Sequence, residues 1–156
     1  MSTRGRIFIK LRTEDKGKDL RIDINKVPLE HPKFREEYFT AIHIEKETNY
    51  LSIYNHWDSY CNNGLGQVLQ ESFHSYEEVL NLILGGNTSS LIGKYYRPYA
   101  DEGDYFMQAP KQHNEINSKD IERVDFIYLY DDCQWWFTEV GYVDKWISLS
   151  WYINNH

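Results

Sequence analysis

The sequence predicts an α+β fold: an antiparallel β-sheet of six to seven strands, made of hairpins and a C-terminal meander, with two short helices packed on one face. Three observations predict it. Segments near both ends alternate apolar and polar residues, the middle carries apolar residues at helical spacing, and polar turns separate the segments. A chain of 156 residues can bury one core, so we expect a single domain over residues 1–156.

Two hairpins are predicted in the N-terminal part. The segment "RIFIKLRT" alternates Ile7, Ile9 and Leu11 with Phe8, Lys10 and Arg12, which is typical of a half-buried strand. The polar turn "EDKGKD" and the strand "LRIDINKV" complete a hairpin over residues 5–26. The segments "FTAIHIE" and "YLSIYNHW" flank the turn "KETN" and predict a second hairpin.

The middle of the chain is predicted to be helical. In "GLGQVLQESF" the residues at i, i+3, i+4, i+7 and i+8 from Leu65 form one mainly apolar face. A second helix begins after Ser75, which has Glu78 three residues later, the spacing of a capping box. The glycines of "GGN" provide its end.

The C-terminal part predicts a β-meander of "RVDFIYLY", "QWWFTEV" and "WISLSWYI", separated by turns at "DDC" and "GYVDK". Its tryptophans alternate at strand spacing, which is typical of packing on a sheet. A stacking platform for single-stranded nucleic acid would need interleaved basic residues, and this segment offers Lys145 alone. The aromatic sheet is also a candidate surface for formation of a homo-oligomer.

Charge is distributed unevenly along the chain. The net charge is −7, but residues 1–46 hold 11 of the 17 Lys and Arg and 8 of the 24 Asp and Glu, a balance of +3. Residues 47–156 therefore hold 6 basic and 16 acidic residues, a balance of −10. This acidic part favours a host protein with a basic surface as partner, and it disfavours direct nucleic-acid binding. The alternative is an acidic surface that serves solubility.

Cysteine usage and hydropathy indicate the compartment. The two cysteines are too few for a disulfide scaffold and lack the CxxC spacing of metal sites. The N-terminus has no long apolar segment, and no run approaches the length that crosses a membrane. We therefore expect a cytoplasmic protein with reduced thiols and no cofactor.

The first candidate site is the segment "IYNHWDSYCNNGLG", whose candidate binding residues are His56, Trp57, Asp58 and Tyr60. A histidine beside a carboxylate could act as a general base or as two metal ligands. No HxH, HxxxH or HExxH spacing supplies the remaining ligands, however. The structural alternative is that Asp58 caps the turn or the start of the helix while His56 and Trp57 anchor the strand end.

Two other readings of this segment have weaker support. Cys61 lies just before a predicted helix, where a thiol can become nucleophilic, but no nucleophile signature surrounds it. The stretch "NNGLGQ" lacks the spacing and the basic residue of a phosphate-binding loop, and Asn63-Gly64 is typical of a tight turn.

The second candidate site lies in the least regular part of the chain, residues 88–120, where a long loop is often functional. The stretch "KYYRPYADEGDY" interleaves tyrosines with charged residues, a composition found at interface hot spots. Its acidic residues could bind a cation, although the calcium-loop pattern is absent. The candidate binding residues here are Tyr95, Tyr96, Arg97, Tyr99, Asp101, Glu102 and Asp104.

Residues 52–91, with "YRPYADEGDY" after them, resemble a group of small uncharacterised phage and prophage proteins. The shared pattern is an apolar strand, "HWDGYP", a short loop with glycine, two helices and "SSL". This chain departs from it with Ser59 for the glycine, Cys61 for the proline, and Gly86-Asn87 at the second helix end. The matching residues are His56, Trp57, Asp58, Tyr60, Gly64, Gly66, Leu69, Tyr76, Leu82, Ile83, Gly85, Ser89, Ser90 and Leu91.

The resemblance implies a phage or mobile-element protein that acts on host machinery in the bacterial cytoplasm. We expect a non-enzymatic protein that inhibits or diverts a host protein, in the manner of anti-CRISPR and other anti-defence inhibitors, through an acidic, Tyr-rich surface. The alternative is a protein that sequesters or hydrolyses a signalling nucleotide in a pocket around His56, Asp58 and Tyr60. The sequence holds no complete catalytic constellation, so the non-enzymatic role is favoured.

Overall fold

The computed structural model describes residues 3–23, 41–91, 97–98, 109–117, 124–140 and 145–155, with the backbone alone at 97–98. Within these ranges the helices are α1 (Leu65–Ser72), α2 (Tyr76–Leu84) and α3 (Leu149–Asn155), and a 3-10 turn covers Thr13–Asp15. The strands are β1 (Gly5–Lys10), β2 (Asp19–Leu20), β3 (Ile42–His43), β4 (Tyr50–Asn55), β5 (Thr88–Ser90), β6 (Arg97–Pro98), β7 (Lys111–His113), β8 (Phe126–Asp131), β9 (Gln134–Glu139) and β10 (Ile147–Ser148).

The main sheet is mixed, so the prediction of an antiparallel sheet is wrong, although the α+β class holds. Its strand order is β10-β9-β8-β1-β4-β5-β6, and β7 also pairs with β4. Strand β1 lies antiparallel to β4 and parallel to β8, so that Ile7 faces both Ile53 and Tyr128. Strand β4 is also parallel to β5, where Asn55 pairs with Thr88.

The central position of β1 explains this error. Its first five residues, Gly5 to Ile9, are all buried, so β1 is covered on both faces rather than half-buried as expected. The alternation of residues tells which side chains share a face, but it does not tell which strands are neighbours. A fully buried strand needs a partner on each edge, and β8 from the far end of the chain provides one.

Both N-terminal hairpins are also predicted wrongly. The segment after β1 forms the 3-10 turn, and β2 pairs with β3 in a separate two-stranded sheet, with Asp19 opposite His43. Strand β4 pairs with β1 instead of with β3. Residues 24–26 of the first predicted hairpin and residues 39–40 of the second lie outside the described ranges.

The two central helices are confirmed. Helix α1 buries Leu65 and Leu69, as the apolar face predicts. Helix α2 starts with the predicted capping box, because the Ser75 hydroxyl accepts from the Glu78 amide while the Glu78 carboxylate accepts from the Ser75 amide. After the helix, Gly86 has a φ of 85°, a conformation that glycine adopts without strain.

The C-terminal meander has the predicted strand order, but its third strand is short. Strands β8 and β9 pair antiparallel around Asp132 and Cys133, both with positive φ, and β10 pairs with β9. Residues 149–153, predicted as strand, instead belong to α3. The Ser148 hydroxyl accepts from the Trp151 amide at 3.4 Å and so caps this helix.

The two faces of the sheet differ. One face packs against the helices in the main core, to which β1 contributes Ile7 and Ile9. The opposite face carries a smaller apolar cluster around Phe8, Ile127 and Leu129. Alternation along β1 places the side chain of Arg6 on this second face with Phe8.

Candidate interaction site

The segment from His56 to Gly64 joins the end of β4 to the start of α1, and we call it the β4–α1 loop. Its first residues continue the pairing with β5, since the amides of His56 and Trp57 donate to the carbonyls of Thr88 and Ser89 at 3.1 and 2.9 Å. The loop thus begins as an extension of the sheet.

A buried polar network holds the loop from inside. Asn55, Ser59 and Thr88 are all fully buried. The Asn55 amide donates to the carbonyl of Trp57 at 2.9 Å and to the Ser59 hydroxyl at 2.8 Å. The Thr88 hydroxyl donates to the Asn55 carbonyl oxygen at 2.6 Å. Because buried polar groups are costly to leave unpaired, this network favours one loop conformation.

Close contacts with β1, with β8 and at the start of α1 hold the backbone of the same loop in place. A Cβ added at Gly5 would lie 2.8 Å from Cβ of Ser59, so a glycine in β1 makes room for the loop. A Cβ at Gly64 would collide with the carbonyl oxygen of Tyr60, which explains a glycine before α1. The Tyr128 hydroxyl donates to the Ser59 carbonyl from β8.

Two large aromatic side chains are exposed on this fixed loop. Trp57 is 45% exposed and Tyr60 is 40% exposed. Between them Asp58 has a φ of 57°, and its carboxylate accepts from the Tyr60 hydroxyl at 2.8 Å. This hydrogen bond raises the pKa of the Tyr60 phenol above its usual value. Trp57, Asp58 and Tyr60 are hereafter called the Trp57–Tyr60 surface.

The structure separates the histidine from the aspartate of the predicted cluster. The Nδ1 atom of His56 is 2.8 Å from the Tyr54 hydroxyl, and its ring contacts Trp57 edge-on at 4.7 Å between centroids. Asp58 is instead bonded to Tyr60. The contacts agree with the structural alternative only in part. His56 and Trp57 extend the strand end. The N-cap of α1 is Gly64 without a side-chain cap, and Asp58 contributes only its carbonyl, which accepts from the Leu65 amide.

Cys61 is not placed to act as a nucleophile. Its side chain is 3% exposed and lies 3.5 Å from the Tyr128 hydroxyl. Burial raises the pKa of the Cys61 thiol to about 11, so the thiol is protonated at neutral pH. Among the residues with described positions, no three His, Cys, Asp or Glu side chains are grouped to hold a metal ion.

The second candidate site is described only at Arg97. Strand β6 pairs with β5, and Arg97 lies opposite Ser90. Since β5 also bonds to His56 and Trp57, the backbone of Arg97 is one strand away from the Trp57–Tyr60 surface. The other predicted binding residues of this segment lie outside the described ranges: Tyr95, Tyr96, Tyr99, Asp101, Glu102 and Asp104.

Two open grooves lie at another place, beside the β8–β9 turn. The larger, about 560 Å³, is lined by residues of β1, α2 and the turn, including Lys10, Arg12, Tyr76 and Cys133. Its cations are paired, since Arg12 lies 3.1 Å from Glu77 and Lys10 lies 4.0 Å from Asp131. The smaller, about 280 Å³, includes His74 and Ser150 in its lining. Neither groove is lined by His56, Asp58 or Tyr60.

Sequence reasoning missed a polar cluster on the face opposite the helices. Arg6, 6% exposed, donates from Nε to the Ser52 hydroxyl at 3.0 Å, and the same oxygen lies 2.6 Å from Nε2 of His113. Ser52 and His113 have the spacing of a nucleophile and its base, but Ser52 is fully buried and its hydroxyl already accepts a hydrogen bond from Arg6. Alternation along β1 puts Arg6 on the same face as Phe8 and Lys10, but it does not show that Arg6 is buried there.

The comparisons with known proteins add no relative. No family model matches the chain, and no curated protein or solved structure is significantly similar to it. In the part of the chain with described positions, the helices are all too short or too polar to cross a membrane.

Proposed function

We propose that this chain is a non-enzymatic interaction protein of phage or mobile-element origin, which inhibits or diverts a bacterial host protein such as a component of a defence system. It would act in the host cytoplasm. The observation that carries the proposal is the Trp57–Tyr60 surface: two half-exposed aromatic side chains on a loop with a fixed backbone. Tryptophan and tyrosine are the residue types that most often dominate protein–protein binding.

The fixed loop matters because binding otherwise has to order the contact residues. Each rotamer-rich side chain that becomes immobilised costs roughly 0.5–1.5 kcal/mol. Here the buried network around Asn55 and the Tyr128 hydrogen bond hold the backbone beforehand. The Tyr60 ring is also oriented by its bond to Asp58. Little ordering is therefore left to the binding step.

The charge of the chain supports a basic surface on the partner. Residues 47–156 hold 16 acidic and 6 basic residues, and they include the whole Trp57–Tyr60 surface. Complementary charge mainly accelerates association, and added salt screens it. The same balance opposes direct binding to a phosphate backbone, because few cations are available to release counterions.

The contacts of His56, Asp58 and Cys61, the residues considered for catalysis, support a non-enzymatic role. His56 is bonded to Tyr54 and Asp58 to Tyr60, so the two side chains do not form a common site. Cys61 is buried, with its thiol pKa at about 11. The side chains of His56, Asp58 and Cys61 thus make contacts within the protein near the start of α1.

The experiment that tests the function is capture of a partner from bacterial lysate by the immobilised chain. We expect one host protein at a constant ratio to the bait, and an association rate that falls as potassium chloride is added. Recovery of no partner in stoichiometric amount would contradict the proposal. A partner whose association rate does not change with salt would contradict the role of the acidic surface.

A second candidate function, binding of a signalling nucleotide, is favoured by one observation. The buried cation Arg6 lies in β1, opposite Tyr54 of β4, whose hydroxyl contacts His56. The basic N-terminal strand thus supplies the positive charge that a phosphate ligand needs. Mass spectrometry of signalling nucleotides before and after incubation with the chain distinguishes sequestration, cleavage and no interaction.

A further inference from the structure

Arg6 is a buried cation at the centre of the sheet. It lies in β1, between β4 and β8, and is 6% exposed. Its backbone pairs with that of Tyr54 in β4. A guanidinium at such a position loses most of its hydration, which is costly unless other groups replace it.

The described partners replace only part of that hydration. A guanidinium has five N–H donors, and the Ser52 hydroxyl accepts one of them, from Nε. Across the described ranges, no carboxylate lies within ion-pair distance of Arg6. Burial lowers the pKa of Arg6 to about 10, which leaves the side chain charged near neutral pH. The two terminal nitrogens therefore carry a positive charge without a described counter-ion.

Hydroxyl and imidazole groups lie along the same face of the sheet as Arg6. The Ser52 hydroxyl that accepts from Arg6 is 2.6 Å from Nε2 of His113, and the His113 ring contacts Phe8 at 5.1 Å between centroids. Along the same face of β4, the Tyr54 hydroxyl is 2.8 Å from Nδ1 of His56. These five polar residues are called the Arg6 cluster: Arg6, Ser52, Tyr54, His56 and His113.

We propose that the Arg6 cluster binds the phosphate group of a small molecule, with the terminal nitrogens of Arg6 donating to two phosphate oxygens. This inference rests on the second candidate function and does not depend on the Trp57–Tyr60 surface. Arginine holds phosphate by such forked hydrogen bonds. The ligand is small, because Arg6 is almost fully covered and a chain of net charge −7 repels large polyanions.

Phosphate is favoured over a carboxylate because of the other side chains of the Arg6 cluster. Two oxygens of either anion can occupy the terminal nitrogens of Arg6. A carboxylate then has no oxygen left, whereas phosphate has further oxygens for hydroxyl and imidazole groups, the side chains that bind phosphate alongside arginine. The cluster contains both types.

The test is thermal unfolding of the purified chain with inorganic phosphate as the probe, against potassium chloride at the same ionic strength. A ligand that binds the native state raises the melting temperature as its concentration exceeds the dissociation constant. We expect this rise in the wild type and in Lys10→Met, which removes an exposed cation from the same strand. We expect no rise in Arg6→Met, and a weaker one in Arg6→Lys, which keeps the charge but loses the fork.

The unliganded variant gives a second readout. If Arg6 serves to bind an anion, it does not stabilise the unliganded fold. Arg6→Met without phosphate should then melt at the same temperature as the wild type or higher, because an apolar side chain of similar length replaces a buried cation. A lower melting temperature, with no phosphate response in the wild type, would overturn the proposal and make Arg6 structural. Should Arg6→Met not fold, equal phosphate responses in Arg6→Lys and the wild type would overturn it as well.

Two further probes define the class of ligand. Sodium acetate that stabilises the wild type more than phosphate does, in an Arg6-dependent manner, would overturn the choice of phosphate. Adenosine monophosphate tests a phosphate attached to a nucleoside. Stabilisation by inorganic phosphate alone would contradict the nucleotide function but support the Arg6 site. None of these assays needs the host partner, so their failure leaves the interaction proposal standing.

Discussion

The hydroxyl of Tyr128, in the middle of β8, donates a hydrogen bond to the carbonyl oxygen of Ser59, in the middle of the β4–α1 loop. Both residues are fully buried, and they lie 69 positions apart in the chain. This contact links the parallel pair of β1 and β8 to the loop that exposes Trp57 and Tyr60. Strand β8, which the sequence analysis assigned to the C-terminal meander, thus holds the loop that carries the candidate site.

Removal of this hydroxyl tests the link. Tyr128→Phe leaves the Ser59 carbonyl buried without its partner, which typically costs about 1–3 kcal/mol. We expect the free energy of unfolding in urea to fall by this amount. Tyr60→Phe is the matched control, because it removes the exposed hydroxyl of the same loop, and we expect its unfolding midpoint to equal that of the wild type. Equal midpoints for Tyr128→Phe and the wild type would contradict the link.

The capping box of α2 gives a second prediction. Ser75→Ala removes the side chain that accepts from the Glu78 amide, and loss of such a cap costs about 1 kcal/mol. The change should appear as a lower urea midpoint with an unchanged slope. Glu78→Gln serves as the control, because glutamine also fits the box. A larger loss for Glu78→Gln than for Ser75→Ala would show that charge, rather than the box, stabilises this end.

The two cysteines should differ in reactivity. Cys133 is exposed in the β8–β9 turn, whereas Cys61 is buried. Because the thiolate is the reactive form, a disulfide reagent at neutral pH should modify Cys133 quickly and Cys61 only after urea is added. In Cys133→Ser the fast phase should vanish. A fast phase that persists in this variant would place Cys61 at the surface.

Alkaline pH should destabilise the fold through Cys61. The pKa of its thiol rises from the usual 9.0 to about 11 in the folded state because of burial. The native state therefore holds the proton more tightly, and this stabilisation is complete below pH 9.0 and is lost as the pH rises through about 11. Melting temperatures across this interval should fall less steeply in Cys61→Ala than in the wild type. Parallel curves would contradict the assignment.

The helices could be predicted from the sequence, whereas the strand partners could not. The apolar spacing from Leu65 and the Ser75–Glu78 pair are local signals, and the structure contains both. Helix α3 also had local signals that were missed, namely Ser148 as a cap and the spacing of Leu149, Tyr152 and Ile153. The pairing of β1 with β8 joins two segments more than 100 residues apart, and the alternation within each segment does not identify its partner strand.

The candidate site could be predicted in part for the same reason. The density of aromatic and polar residues identified Trp57, Asp58 and Tyr60, because these side chains are close in sequence as well as in space. Arg6 and His113 come from separate strands and meet at Ser52 only through the sheet. Arg6 shares a face of β1 with Lys10, yet it is buried, and the local pattern does not show this.

The Trp57–Tyr60 surface is tested most directly by capture of the host partner with three immobilised proteins: the wild type, a Trp57→Ala and Tyr60→Ala double variant, and Trp151→Ala. Trp151 is 56% exposed in α3 and controls for the loss of an exposed tryptophan. Circular dichroism first confirms that all three are folded. We predict that the wild type and Trp151→Ala recover the same partner in equal amounts and that the double variant recovers none. Equal recovery by the double variant would contradict the account.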